Sequence, residues 1–177
     1  LMYADGRPIV EMLDMSIRFE GWSREGIEAL WQTRSSEGAA PPRRAPLFDN
    51  ESILAFAIGK PSEAFGVPYE VFDQDRVIAR LPGPPYKFLD RIMEIEGEPW
   101  KMQAGGKIVA EYDVPPDEWY FAENVQGDMP FSILLEIALQ PCGWLAGYIG
   151  SALAGEVNLS FRNLGGSATQ FFPIYPD

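Results

Sequence analysis

No histidine occurs among the 177 residues. That absence removes every Ser-His, Cys-His and His-metal arrangement from the chain. Acid–base chemistry must then use carboxylates, or a histidine lent by another chain or domain. Cys142 is the sole cysteine, so no internal disulfide forms, which fits a reducing cytoplasm. Basic residues are few: 14 Lys and Arg stand against 26 Asp and Glu, a formal net charge of -12. Nucleic-acid phosphates and anionic membrane surfaces would repel such a chain, and the excess acid reads as a solubilising surface. A membrane span is missing too. The longest apolar stretch, Met129 to Ala154, is broken by Glu136, Gln140 and Pro141, whereas a spanning helix needs about 20 apolar residues. It reads as a buried helix. No basic segment followed by an apolar run opens the chain, so no signal peptide is visible, and no internal repeat stands out.

What is present suffices for a core, since 46% of the residues are apolar. Ala4-Asp5-Gly6-Arg7 reads as a hairpin turn, Asp-Gly being a strong turn pair. From Ile9 to Phe19 apolar residues alternate with Asp14, Ser16 and Arg18, which predicts a strand closing something upstream. Ser23 is placed to cap a short helix through Trp31. Residues 33–46, TRSSEGAAPPRRAP, have linker composition. Asn50 is placed to cap a helix from Glu51 to Ile58, ended by Gly59 and Pro61, and RLPGPP, Arg80 to Pro85, is a stiff extended entry. From Tyr86 the pattern becomes α+β. Phe88 to Ile95 reads as a buried strand. Lys107 to Val114 alternates with Ile108, Ala110, Tyr112 and Val114 on one face, and Pro115 stops it. A helix follows from about Phe131 to Leu153, apolar nearly all round, with a kink expected at Pro141 and close approaches at Gly143, Gly147 and Gly150. Val157, Leu159 and Phe161 then predict another strand, and Ala168 to Ile174 a further one. Strand, strand, long buried helix, strand opens a hot-dog fold, an antiparallel sheet wrapped around a long central helix. The domains expected are 1–22 as the end strand of an upstream hot-dog, 23–85 as a linker with short helices, and 86–177 as a hot-dog lacking its closing strands.

Chemistry concentrates between Trp119 and Gln140, WYFAENVQGDMPFSILLEIALQ. Glu136 and Gln140 are four residues apart and share a helix face. With Leu134, Leu135, Ile137 and Ala138 as neighbours, the Glu136 carboxyl is costly to ionise, and a raised pKa suits a general acid near neutral pH. Gln140 is placed to hold that carboxyl or a water. A surface glutamate, or one paired with an arginine, fits the same spacing. The backbone N–H of Phe131, in the first turn, is placed to polarise a carbonyl as an oxyanion hole does, although every helix has such a terminus. Cys142 lacks a base within the chain and reads as buried and inert. Asp113, Asp117, Glu118 and Glu123 lack the spacing of a calcium loop and read as a solvated acidic face, so no metal is expected. Gly165-Gly166 lacks the lysine of a phosphate loop and reads as a turn.

The same segment resembles the 3-hydroxydecanoyl-ACP dehydratase family, whose motif runs roughly F-F-x-x-H-F-x-G-D-P-x-M-P-G, then D/E-x-x-x-Q on the central helix. Tyr120-Phe121-Ala122-Glu123-Asn124-Val125-Gln126-Gly127-Asp128 fits the first part, Met129-Pro130 the M-P, and Glu136 and Gln140 the helix positions. FLDRI, Phe88 to Ile92, and KIVAEYDV, Lys107 to Val114, resemble that family's first strands. Asn124 stands at the histidine position, two residues are missing before Met129, and Phe131 replaces the last glycine. LLEIALQPCGWLAGYIGSAL, RVIARLPGPPYKFLDRI and YADGRPIV look especially like the histidine-free hot-dog units in dehydratase regions of polyunsaturated fatty acid and polyketide synthases. The resemblance implies a double hot-dog whose sites form between two units. A histidine from one takes the C2 proton of a 3-hydroxyacyl thioester; the carboxyl group of the other protonates the departing hydroxyl. This chain would then supply the Glu136 half, Asn124 marking a dead half-site. The implied partners are a histidine-bearing second hot-dog and an acyl carrier protein, whose phosphopantetheine carries the substrate. No bound cofactor is implied, and a dimer or larger assembly is. A non-catalytic hot-dog module and a hot-dog acyl thioesterase are the competing readings.

Overall fold

The computed structural model describes residues 2–4, 7–10, 44–162, 168, 170 and 172–176. The chain divides into two compact units, one of residues 1–42 and 163–172, the other of residues 43–162 and 173–177. In the first, β1 (Met2–Ala4) and β2 (Arg7–Val10) pair antiparallel, with Ala4 opposite Arg7 and a register shift between Met2 and Tyr3. The flanks of the expected Asp-Gly hairpin are therefore in place. The rest of the strand expected to Phe19, the helix expected from Ser23 to Trp31 and residues 33–43 of the linker lie outside the described residues.

The second unit opens with α1 (Asn50–Ala57). Its cap is Asp49, one residue before the one expected. The extended backbone of Asp49 lets its Oδ1 accept from both the N–H and the hydroxyl of Ser52, at 3.0 Å each. Those bonds hold the Asp49 carboxyl below the usual range. At the other end, the Arg80 guanidinium donates to the carbonyls of Phe56 (3.2 Å) and Gly59 (2.7 Å). α2 (Pro61–Phe65) begins on a proline, whose missing N–H costs nothing in a first turn. A 3-10 turn (Val67–Tyr69) and α3 (Val71–Gln74) follow. Asp73 fastens α3 to α2 by accepting from the Ser62 N–H (3.1 Å) and hydroxyl (2.7 Å). Within the segment expected as a linker with short helices, the described helices begin at residue 50. Ile53, Phe56, Phe65, Tyr69 and Phe72 of that segment share one core with Leu89, Ile92 and Trp144.

β3 (Arg91–Glu96) and β4 (Lys107–Glu111) pair antiparallel, with Arg91 opposite Glu111 and Ile95 opposite Ile108. Phe88 and Leu89 are buried as expected but precede the ladder. Phe48 bridges the other edge of β3 through Ile92. On β4, Ile108 and Ala110 turn toward the core, and the ladder ends at Glu111, short of the expected Val114. After α4 (Trp119–Glu123) comes α5 (Phe131–Tyr148), with Pro141 inside it. Its buried stripe is Ile133, Gln140, Trp144 and Gly147, while Ser132, Ala138, Leu139 and Cys142 are exposed. α5 ends five residues before the expected Leu153, because Gly150 turns left-handed (φ 83°) and Ser151–Ala154 tighten into a 3-10 turn. Ring atoms fill the space beside Gly147: an added Cβ would lie 2.8 Å from Phe65 and 3.2 Å from Phe56. At Gly150 it would meet the Trp100 backbone at 2.9 Å.

Among the described residues, neither strand expected after α5 forms. Residues 157–162 run without a ladder. The Arg76 guanidinium takes the carbonyls of Gly155 (2.8 Å) and Val157 (3.3 Å), and the Val77 N–H donates to the Asn158 side chain (3.3 Å). Side-chain hooks thus occupy this stretch where strand pairing was expected. The described residues between 168 and 174 form no strand either; the Ile174 carbonyl accepts one bond, from the Met129 N–H at 2.7 Å. A second small core joins Phe88, Tyr120, Phe121, Met129 and Ile133 at the start of α5. Among the described residues, no helix is long and apolar enough to cross a membrane.

Candidate functional site

Phe131 opens α5 behind Pro130, and no side chain caps the helix. The Pro130 carbonyl accepts from the N–H groups of Ile133 (2.9 Å) and Leu134 (3.2 Å). The N–H groups of Phe131 and Ser132 find no partner among the described residues, as a first helical turn dictates. One and a half turns on, Glu136 is half-buried and makes no hydrogen bond or ion pair among the described residues. The arginine-paired alternative is thus not realised there.

Gln140 is 3% exposed and points elsewhere than expected. Its Oε1 accepts from the Phe88 N–H at 2.7 Å, and its Nε2 donates to the Tyr86 carbonyl at 2.9 Å. The amide clamps the strand entry onto α5, and no hydrogen bond joins it to Glu136. Asn124, at the motif's histidine position, is also engaged. Its Nδ2 donates to the Asp128 carbonyl (2.8 Å) and carboxylate (2.6 Å), while its backbone carbonyl accepts from the Gly127 N–H (2.8 Å). Gly127 is left-handed (φ 69°), which closes the shortened loop back on itself.

Cys142 is exposed rather than buried, its thiol 3.6 Å from the Ala138 carbonyl. A helix apolar nearly all round does not reveal which side faces out. Of the acidic residues expected on a solvated face, Asp113 is drawn into ion pairing: Arg91 bonds it and Glu111 (2.7 Å), which drives the guanidinium further above its ordinary pKa. Lys87 bonds Asp90 at 2.7 Å, and the other Asp90 oxygen accepts from the Asp113 N–H at 2.8 Å. Among the described residues no group of acids, cysteines or histidines is arranged to hold a metal.

Sequence reasoning missed one feature. The hydroxyls of Tyr112 and Tyr120 lie 3.3 Å apart in the second core, and burial pushes both phenols up. In the sequence, Tyr112 is only one position of an alternating strand. No periodicity links β4 to α4 across Pro115-Pro116, so the pairing had no signal in the sequence.

An antiparallel pair packs against a long helix, with a looped motif leading into that helix. The chain belongs to the FabA-like domain family, whose model matches residues 81–172, slightly more than half of its length. It is also 32% identical over 127 residues to a subunit of the polyunsaturated fatty acid synthase of Thraustochytrium sp.. That alignment takes in 66% of this chain and 8% of the relative.

Proposed function

We propose that this chain is a module of a 3-hydroxyacyl-ACP dehydratase in polyunsaturated fatty acid or polyketide synthesis, and that it contributes the carboxylate half of a site shared with a second hot-dog. The observation that carries the reading is the uncommitted, half-buried Glu136 at its motif position within the FabA-like match. Glu136 donates a proton to the departing C3 hydroxyl. The Phe131 N–H polarises the thioester carbonyl, and a histidine of the partner hot-dog takes the C2 proton. An acyl carrier protein presents the substrate on phosphopantetheine, and no bound cofactor takes part. The half-site around Asn124 is silent, because its amide is spent on Asp128 and cannot act as a base. Its role is then to hold the loop. A purely structural module is the second reading, favoured by the commitment of Gln140 to the backbone of Tyr86 and Phe88.

The test is single-turnover dehydration of a 3-hydroxyacyl pantetheine thioester by the complete synthase, with this chain alone as the control. Glu136→Gln keeps the size and removes the acid, so the rate should fall about 10²-fold or more. Asn124→Ala should leave it nearly unchanged, and the isolated chain should be inactive. Equal losses from the two substitutions would reverse the half-site assignment. No loss from either would favour the structural module.

A further inference from the structure

Among the described residues, Trp100 alone combines a side chain with a left-handed backbone (φ 61°). A bulky residue rarely adopts that conformation, so its surroundings must hold it there. Its backbone N–H donates to the Tyr148 carbonyl at 2.9 Å, and its indole N–H donates to the Phe65 carbonyl at 2.8 Å. Gly150 permits the close approach, since an added Cβ would stand 2.9 Å from the Trp100 Cα. The result is a fixed indole, 46% exposed, in the wall of a cavity of about 300 Å³. Phe48, Phe65 and Tyr148 share that wall with Ala64 and Pro99, and no charged side chain lines it. With its N–H spent on Phe65, the indole brings aromatic surface to the cavity rather than a donor. Four rings around one space attract a cation through their quadrupoles. The surroundings agree in sign. Glu63 borders Ala64, is exposed and makes no ion pair among the described residues. Lys101, next to Trp100, is already bound to Glu98, and the chain carries a formal charge of -12. A primary ammonium would have to shed strong hydration against walls poor in acceptors, whereas an alkylated one has no N–H to satisfy.

We propose that this cavity binds the quaternary ammonium group of a small ligand of the choline type, with Trp100 as its fixed wall. The size suits it, because the cavity lies at the bottom of the ~300–1,000 Å³ range of small-molecule sites. Along α5, Tyr148 stands about 18 Å from Glu136 at ~1.5 Å per residue. The inference therefore does not depend on the dehydratase reading.

The experiment is calorimetric titration of the full chain with choline and with 3,3-dimethylbutanol, which has the same shape with carbon in place of the charged nitrogen. Choline should bind about tenfold more tightly or better. Trp100→Leu should remove that advantage, with a thermal midpoint measured alongside to show that the chain still folds. Glu63→Lys alters an exposed side chain, so it spares the fold. It should weaken choline by about threefold, the scale of a surface charge contact, and leave the neutral alcohol unchanged. The comparison of the two ligands on the unaltered chain stands whether or not Trp100→Leu folds. Equal affinity for choline and the alcohol would make the cavity merely apolar and overturn the proposal. So would no binding of choline, or choline binding that survives both a folded Trp100→Leu and Glu63→Lys.

Discussion

Replacing Gln140 separates a structural clamp from a site residue. Its carboxamide satisfies the buried Phe88 N–H at 2.7 Å and the Tyr86 carbonyl at 2.9 Å, in a position 3% exposed to solvent. Gln140→Leu keeps the volume and orphans both groups. An unpaired buried donor costs ~1–3 kcal/mol. The Tyr86 carbonyl is nearer to water and adds less, so the total should be about 2–4 kcal/mol. Gln140→Glu offers a sharper version. Its carboxylate still accepts from Phe88 but has no proton for Tyr86, and burial raises its pKa. That variant should regain stability as the pH falls, because the protonated acid donates where the amide did. Urea unfolding followed by tryptophan fluorescence reads both effects, since Trp144 sits in the main core with Phe48 and Phe65 within 5.3 Å and 4.8 Å of its ring. A Gln140→Leu midpoint worth less than about 0.5 kcal/mol, the ordinary range of a surface change, would refute the clamp.

Tyr69 predicts an alkaline limit. Its fully buried phenol, which donates to the Gly147 carbonyl, is pushed up to about 12 by burial. A folded pKa above the unfolded one gives stability that is complete below about pH 10 and lost as the pH rises toward 12. The loss, on the order of 3 kcal/mol at ~1.36 kcal/mol per unit, should be missing from Tyr69→Phe in an unfolding series across that range. Gly150→Ala should destabilise by about 2 kcal/mol or more, combining a left-handed residue with a clash against the Trp100 backbone, as thermal unfolding would show. Asn124→Ala should cost on the order of 1 kcal/mol by releasing Asp128, readable as a lower urea midpoint.

The sequence revealed much of the frame because its signals were periodic. The two-residue alternation in Lys107 to Glu111 and the start of the long helix at Phe131 both followed from spacing. Where a second partner decides, spacing was insufficient. Asp49 and Asn50 are both good caps, and only the reach of Asp49 to Ser52 selects between them. Val157, Leu159 and Phe161 alternate as a strand would, yet Arg76 and Asn158 hold the chain by side chains instead. A polar residue in an apolar helix suggests site chemistry at Gln140, while its buried amide is committed to Tyr86 and Phe88. At Asn124 the motif located the position, but the bonds to Asp128 could not be read from spacing.

The core that surrounds Trp144 has a consequence for how this module can be moved between proteins. The FabA-like match begins at residue 81, but Phe48, Phe56 and Phe65, which touch the Trp144 ring, come before it. The matched domain pattern and the folding unit therefore have different borders. A chimera spliced at the start of the resemblance would leave Trp144, Leu89 and Ile92 facing solvent, a sticky surface rather than a transplanted domain. A graft that includes Arg44 onward carries its own lining. A junction that keeps this core whole therefore lies before Phe48, whose ring packs on Trp144.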